Sequence, residues 1–420
     1  RAIFHGLGQA PKQPDAFPYK ELLSAIGPDS AWTPRGKPTK GGMAVGDSSV
    51  VLAALRLLEG SLDVHDNKPV HMPAELAENL WESIVKLRDA VREEWEEART
   101  PQSPREAYVL AVNHSSGVYA SLLVRYALWL SVARKQPSVS VDDLPPAGCA
   151  LSELSSVLRV GSAWRVDERA VFGRWLPWLV LVDETWVRQN LELLFPTDES
   201  RRDLRDFTWD CYLGLSAPWD RLLDVLRGEY ERSVSSLNGS SQSRAAREPD
   251  NGREVEEDPV SRLGFHLASF ALRGTLALEP FELFNRFVEM APDFALKNIA
   301  SDLGRLAIGN PQRPHAPQRL DRICAMWGLL SGETGKRRSS DAVMCEFGWW
   351  VEADVMDWEW TERHVDRLAK RRVVPTRFAE VLRMFHKHRG DIASWRIVDW
   401  LDAFLLAGGE VGRSELGWAI

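Results

Sequence analysis

Few residues in this chain have the types and spacing that chemistry needs. Asn113, His114, Ser115 and Ser116 set a hydroxyl beside an imidazole, as nucleophilic catalysis requires. No Gly-x-Ser-x-Gly turn accompanies them, and the surrounding apolar pattern places them inside a helix, where small polar side chains serve close packing or a kink. His386 and His388, with His364, could offer imidazoles to a metal. Side chains two apart on a helix point about 200° apart, so no metal is expected there. The only acid at useful spacing is Asp391, beyond Gly390.

Phosphate chemistry fares no better. A P-loop is Gly-x-x-x-x-Gly-Lys followed by Ser or Thr. The stretch Gly332, Gly335, Lys336, Arg337 misplaces the first glycine and lacks the hydroxyl, and the stretches at Gly36-Lys37 and Lys40-Gly41-Gly42 fail too. Phe4-His5-Gly6-Leu7-Gly8 lacks the third glycine of a dinucleotide fingerprint. No cofactor is therefore expected. Asp183, Glu184, Asp354 and Asp357 could form the carboxylate pair of an α/α-toroid glycosidase, with Trp349, Trp350 and Trp358 stacking sugars. Asp183 and Asp357, however, fall where helices need caps, so this enzyme class stands as the alternative and a non-enzyme is expected. Cys149, Cys211, Cys324 and Cys345 form no short pair, so zinc is not indicated, and free, buried, reduced thiols are expected.

Composition narrows the classes further. The 420 residues carry 52 Lys and Arg against 60 Asp and Glu, a formal charge of −8, which argues against nucleic-acid binding through net charge. The densest basic runs, Arg363–Arg372 and His386–Arg389, read as helix C-termini, where cations are favoured. The longest apolar-rich window, Val171–Val182, is broken by Arg174 and Pro177, so no spanning helix is expected. The leading residues lack the basic start and apolar core of a signal peptide, so a cytoplasmic protein is expected. The first residue is Arg1 rather than Met, which suggests a fragment or a processed product. Eighteen Trp against six Tyr points to helices whose gaps are filled by indoles.

Those side chains must be positioned by helices, because no alternating run is long enough for a sheet. Residues 1–46 are rich in Gly, Pro and Lys and read as an irregular leading segment with one short helix near Tyr19–Ile26. Asp47, Ser48 and Ser49 offer a cap for a helix ending at Gly60, and Pro73 opens a long amphipathic helix with Leu76, Leu80, Ile84, Leu87 and Val91 on one face. Ser103, Pro104 and Glu106 form the next cap signature, before a stretch apolar on a wide arc to about Lys135. From Ala150 helices follow one another, broken at Gly161, Pro196, Pro218, Pro280, Pro292, Pro311, Gly332, Pro375 and Gly390. Residues 233–258 are poor in apolar side chains and read as a flexible loop or linker. The expected organisation is a helical array over 47–232, this linker, and a second array over 259–420.

One internal echo stands out. Phe172, Gly173, Trp175, Asp183 and Trp186 correspond to Phe347, Gly348, Trp350, Asp357 and Trp360, with one gap. The pattern predicts a helix, a turn capped by the Asp, and a second helix whose first-turn Trp packs back onto the first. The Gly lets helices approach closely. Such pairs stack into a HEAT- or TPR-like α-solenoid, so the expected fold is all-α, built of antiparallel helix pairs.

These segments resemble the C-terminal helical regions of large bacterial antiphage-defence proteins. The resemblance rests on Val171–Pro196, Ser261–Gly274, Phe287–Gly309 and Glu346–Leu368 and spans roughly Ala150–Arg389; residues 1–149 share none of it. In that family a helical-repeat tail follows a sirtuin-like NAD hydrolase, a nuclease or a STAND-type ATPase effector. The resemblance implies a sensor or scaffold region of an antiviral defence system, binding a protein or nucleic-acid ligand and coupling it to an effector. It implies as partners an effector domain or subunit and a phage protein or nucleic-acid trigger, with no membrane and with self-association open. A constitutive structural interaction protein is the alternative within the binding class. Trp358 and Arg389 are the candidate partner contacts.

Overall fold

The computed structural model describes Leu23 and residues 48–237 and 258–417, apart from 63, 66–67, 70–71, 94–103, 137–138, 141, 143, 147, 160–165, 280–281, 309–316, 354–355 and 391. The expected irregular segment 1–46 thus lies outside the described residues except for Leu23, which is helical and buried. Among the described residues the chain is all-α, and the sole strand pairing is the two-residue ladder of β1 (Val64–His65) and β2 (Lys68–Pro69). It divides into two compact units, Arg1–Ala217 and Pro218–Ile420.

The first unit contains α1 (Ser48–Ser61), α2 (Ala77–Glu93), α3 (Pro104–Ala111), α4 (Ser115–Ala133), α5 (Cys149–Arg159), α6 (Val166–Gln189), α7 (Leu191–Leu194) and α8 (Arg202–Leu215). Its centre is α4, which packs against α1, α2, α3, α5 and α6. By length and composition α4 could cross a membrane, and 83% of it is buried inside the fold. At 19 residues it is longer than the Val171–Val182 window, and it is apolar nearly all round because it is a core helix with neighbours on every side. Tyr126 of α4 donates its hydroxyl to the Ala77 carbonyl at 3.1 Å and stacks on Trp81 and Trp129.

Asn113 and His114 do not lie within a helix. They form the turn between α3 and α4, with His114 extended at φ −111°. Arg56 fixes this turn by donating to the Val112 carbonyl and to Asn113 Oδ1, each at 2.8 Å. Gly117 then starts α4 so close to α3 that a Cβ would lie 2.2 Å from the Ala111 carbonyl oxygen.

The second unit contains α9 (Asp220–Ser236), α10 (Pro259–Arg273), α11 (Leu283–Met290), α12 (Asp293–Ile308), α13 (Pro317–Leu330), α14 (Asp341–Met344), α15 (Phe347–Ala353), α16 (Trp358–Arg371), α17 (Phe378–Lys387) and α18 (Ser394–Gly417). Here helices pack in succession, α9 on α11, α10 on α12, α12 on α15, α15 on α17 and α16 on α18. Four of these five pairs are next-but-one, and the fifth, α12 on α15, is so once the four-residue α14 is passed over; that pattern is the local signature of a solenoid.

The expected linker over 233–258 and its domain boundary need correction. Residues 233–236 are the last turn of α9, residues 238–257 lie outside the described residues, and Asp258 caps α10. The units divide at Ala217/Pro218 because α9 belongs to the second one. Its Tyr230 hydroxyl hydrogen-bonds His266 Nδ1 at 2.9 Å and its ring meets Phe270 edge-on.

The internal echo is visible in both units. Phe172 and Phe347 are buried. A Cβ on Gly173 would lie 2.3 Å from the Thr208 carbonyl oxygen, and one on Gly348 1.4 Å from that of Thr376. Asp183 accepts the Trp186 amide at 2.9 Å, and Asp357 accepts the Trp360 amide at 2.7 Å. Trp360 packs back as expected, 5.6 Å from Phe347 and 6.4 Å from Trp350. Trp186 instead donates its indole to Ser155 of α5 at 2.9 Å, and Trp175 lies under the Arg125 guanidinium. The copies share their caps and close approaches but differ in which neighbour receives the indole.

Candidate binding groove

A groove of about 550 Å³ runs between α10 and α12. Asp258 starts α10 by accepting the Ser261 amide at 2.7 Å, with Pro259 at the first helical position. On α10, Ser261, Arg262 and Phe265 line the groove; on α12, Asn298, Ser301, Asp302, Arg305 and Leu306 do so. The positions recur at three- and four-residue steps, so each helix presents one stripe.

Two glycines set how closely the walls approach. A Cβ on Gly264 would lie 2.2 Å from Ile299 Cδ1, which brings α10 onto α12. One on Gly304 would lie 2.6 Å from Trp349 Cβ, which brings α15 against α12 and holds Trp349 beside Arg305. Asn298 ties the walls by donating to the Ser261 hydroxyl at 3.0 Å.

The groove is cationic. The Arg305 guanidinium lies 4.6 Å over the Trp349 ring, and Arg377 lies 4.8 Å over the same ring. Arg377 is held by a two-pronged pair with Glu352, at 2.8 and 2.6 Å, which raises its already high pKa. Arg305 has Asp302 at 3.6 Å. Arg262 has no carboxylate partner among the described residues, and its buried Nε has no hydrogen-bond partner. Leaving such a donor unpaired costs about 1–3 kcal/mol. Among the described residues the groove is thus lined by two guanidiniums and one carboxylate, with Phe265 and Leu306 as apolar flanks.

None of the groove residues is among the expected contacts, Trp358 and Arg389. Trp358 stacks on His388 at 4.6 Å with 9° between planes, and the exposed Arg389 reaches the His386 ring at 3.2 Å. The groove did have a sequence signal: Ser-x-Leu-Gly recurs at Ser261–Gly264 and Ser301–Gly304. In each copy the Ser and the next residue line the groove, the Leu is buried, the Gly makes the close approach, and the residue after it lines the groove again. A third copy, Ser414–Gly417, ends α18.

The other candidate residues are engaged in structure. His364 is buried, and its Nδ1 accepts the Trp327 indole proton at 3.3 Å. Burial, with Arg367 and Arg363 beside it, pushes His364 down to about 3. No three potential metal ligands cluster among the described residues. Gly332 adopts φ 67° in a loop that Arg337 ties to the Val288 and Ala291 carbonyls and to Asp293. Arg367 and Arg371, from the basic run, fasten the same loop through the Ser331 and Ser339 carbonyls. Of the toroid carboxylates, Asp183 and Asp357 are caps, Glu184 pairs with Arg188, and Asp354 lies outside the described residues. The four cysteines are free; Cys211 is buried and the other three are half-buried. Burial pushes Cys324 and Cys345 up to about 11.

Comparison of the chain with family models, curated proteins and solved structures finds no match.

Proposed function

We propose that the chain is a helical-repeat binding module, the sensor or scaffold region of a bacterial antiviral defence system, and that an acidic ligand segment seats in the α10/α12 groove. The observation that carries this reading is Arg262, with no carboxylate partner among the described residues, beside an Arg305 whose guanidinium lies over Trp349. A carboxylate entering there gains charge-assisted hydrogen bonds, and the Arg305 guanidinium over Trp349 is already oriented, so it loses little side-chain entropy on binding. Binding then biases the assembly or activity of an effector through the state it prefers. The defence assignment rests on the family resemblance of Ala150–Arg389.

The test uses the full chain and three probes: a glutamate-rich peptide, a single-stranded DNA and a double-stranded DNA. The peptide is expected to bind, and the double substitution Arg262→Glu with Arg305→Glu is expected to abolish that binding. Equal peptide binding by both proteins would overturn the groove assignment. Capture from bacterial lysate before and after phage infection then reads the role. A partner held by the wild type only after infection, and lost in the variant, marks a sensor, and the same partner in both samples marks a standing scaffold.

A further inference from the structure

The second unit also carries a face that matches the groove in chemistry. On α18, Trp400 and Phe404 point inward, against Phe385 and Phe378. The opposite side exposes Trp395 at 65%, Val398 at 63% and Leu406 at 64%. Asp399 and Asp402 are exposed between them. At 100° per residue, Trp395, Asp399, Asp402 and Leu406 fall within about 60° of arc, a single stripe roughly 16 Å long. Large apolar side chains seldom line up in the open on one helix unless something covers them.

The groove and the stripe are complementary. One offers two guanidiniums beside the single carboxylate of Asp302, flanked by Phe265 and Leu306; the other offers two carboxylates flanked by Trp395, Val398 and Leu406. We infer that the α18 stripe of a second copy of this chain occupies the α10/α12 groove, Asp399 and Asp402 meeting Arg262 and Arg305 while Trp395 seats against the apolar flank. This rests on the reading of the groove as an acidic-ligand site and names its partner. The mode is a helix lying in a groove, read through residues three, four and seven apart. Trp and Arg are the side chains that anchor such contacts. Groove and stripe are different surfaces, so the contact is head-to-tail. It closes into a ring or runs on as a filament, depending on the rotation between copies.

Charge reversal tests it in the full chain by light scattering and sedimentation over a dilution series. The wild type is expected to self-associate as concentration rises. Arg262→Glu with Arg305→Glu sets glutamates against Asp399 and Asp402, and Asp399→Lys with Asp402→Lys sets lysines against the arginines. Each double variant alone is expected to associate about a hundredfold more weakly. Mixed, they restore assembly, because the reversed groove meets the reversed stripe while the two native surfaces meet each other. A misfolded variant could not be rescued in this way. Trp395→Ala weakens association without altering charge.

A chain that stays monomeric throughout would overturn the proposal, and so would association that persists in both double variants. Loss on Trp395→Ala alone, with both charge reversals silent, would place stripe against stripe and overturn it too. If the glutamate-rich peptide still binds and Arg262→Glu with Arg305→Glu abolishes that binding, the groove reading survives such a failure. If the DNA probes bind there instead, both fall.

Discussion

Replacing Gly348 by alanine tests whether the repeated glycine holds two segments in contact. The added methyl would sit 1.4 Å from the Thr376 carbonyl oxygen. Restoring an ordinary contact near 3.4 Å opens the helix–turn junction by about 2 Å. That breaks two hydrogen bonds that Thr376 donates to the Cys345 carbonyl, from its amide at 2.7 Å and its hydroxyl at 3.1 Å. At about 1 kcal/mol each they account for roughly 2 kcal/mol. Overpacking adds about 3 kcal/mol around the buried Phe347. Alanine's higher helix propensity returns about 1 kcal/mol. The net loss is about 4 kcal/mol, or roughly 8–16 °C in the midpoint of a unit of this size. Gly228, in α9, has nothing within 4 Å of where an alanine methyl would sit, so Gly228→Ala raises the midpoint slightly by propensity alone. Thermal melts of both variants, followed by circular dichroism, check the contrast. A Gly348→Ala midpoint at or above that of Gly228→Ala would refute the close-approach reasoning.

Four further outcomes follow. Asp183→Ala and Asp357→Ala each remove a cap and are expected to cost about 1 kcal/mol, seen in urea midpoints at unchanged slope. His364 has its folded pKa lowered to about 3, so the unfolded chain binds the extra proton first. Stability is therefore full above pH about 6.5 and falls with acidification, by about 2 kcal/mol at pH 5; His364→Gln flattens that slope in urea titrations against pH. Iodoacetamide labelling of Cys324 and Cys345 is expected to be slow at pH about 7.5 and to accelerate toward their pKa values of about 11; fast neutral labelling would contradict their burial. Gly304→Ala is expected to weaken binding of the glutamate-rich peptide more than fivefold or so while Ser301→Ala leaves it nearly unchanged, because the methyl displaces Trp349 from beneath Arg305.

The helices were readable without any structure, because their signals are local. Period, caps and breakers act within one or two turns, so Pro104, Asp357 and Gly332 stand where the apolar pattern and turn chemistry place them. The echo was legible for the same reason: an Asp that caps three residues ahead needs no distant partner. Features that depend on partners far along the chain were settled by the packed fold. Asn113 and His114 leave the helix because Arg56 and the approach of Ala111 to Gly117 impose a turn that no neighbouring breaker announces. The unit boundary follows the burial of Tyr230 against His266, not the composition of 238–257. The groove is the clearest case. Ser-x-Leu-Gly marks a helix that another helix approaches closely, but only the fold sets the copies at 261 and 301 face to face. Arg262 is left without a carboxylate partner among the described residues, and Arg305 takes its seat on Trp349, through residues that sequence separation hides. A charge becomes a binding group through what surrounds it, and those surroundings are built by packing.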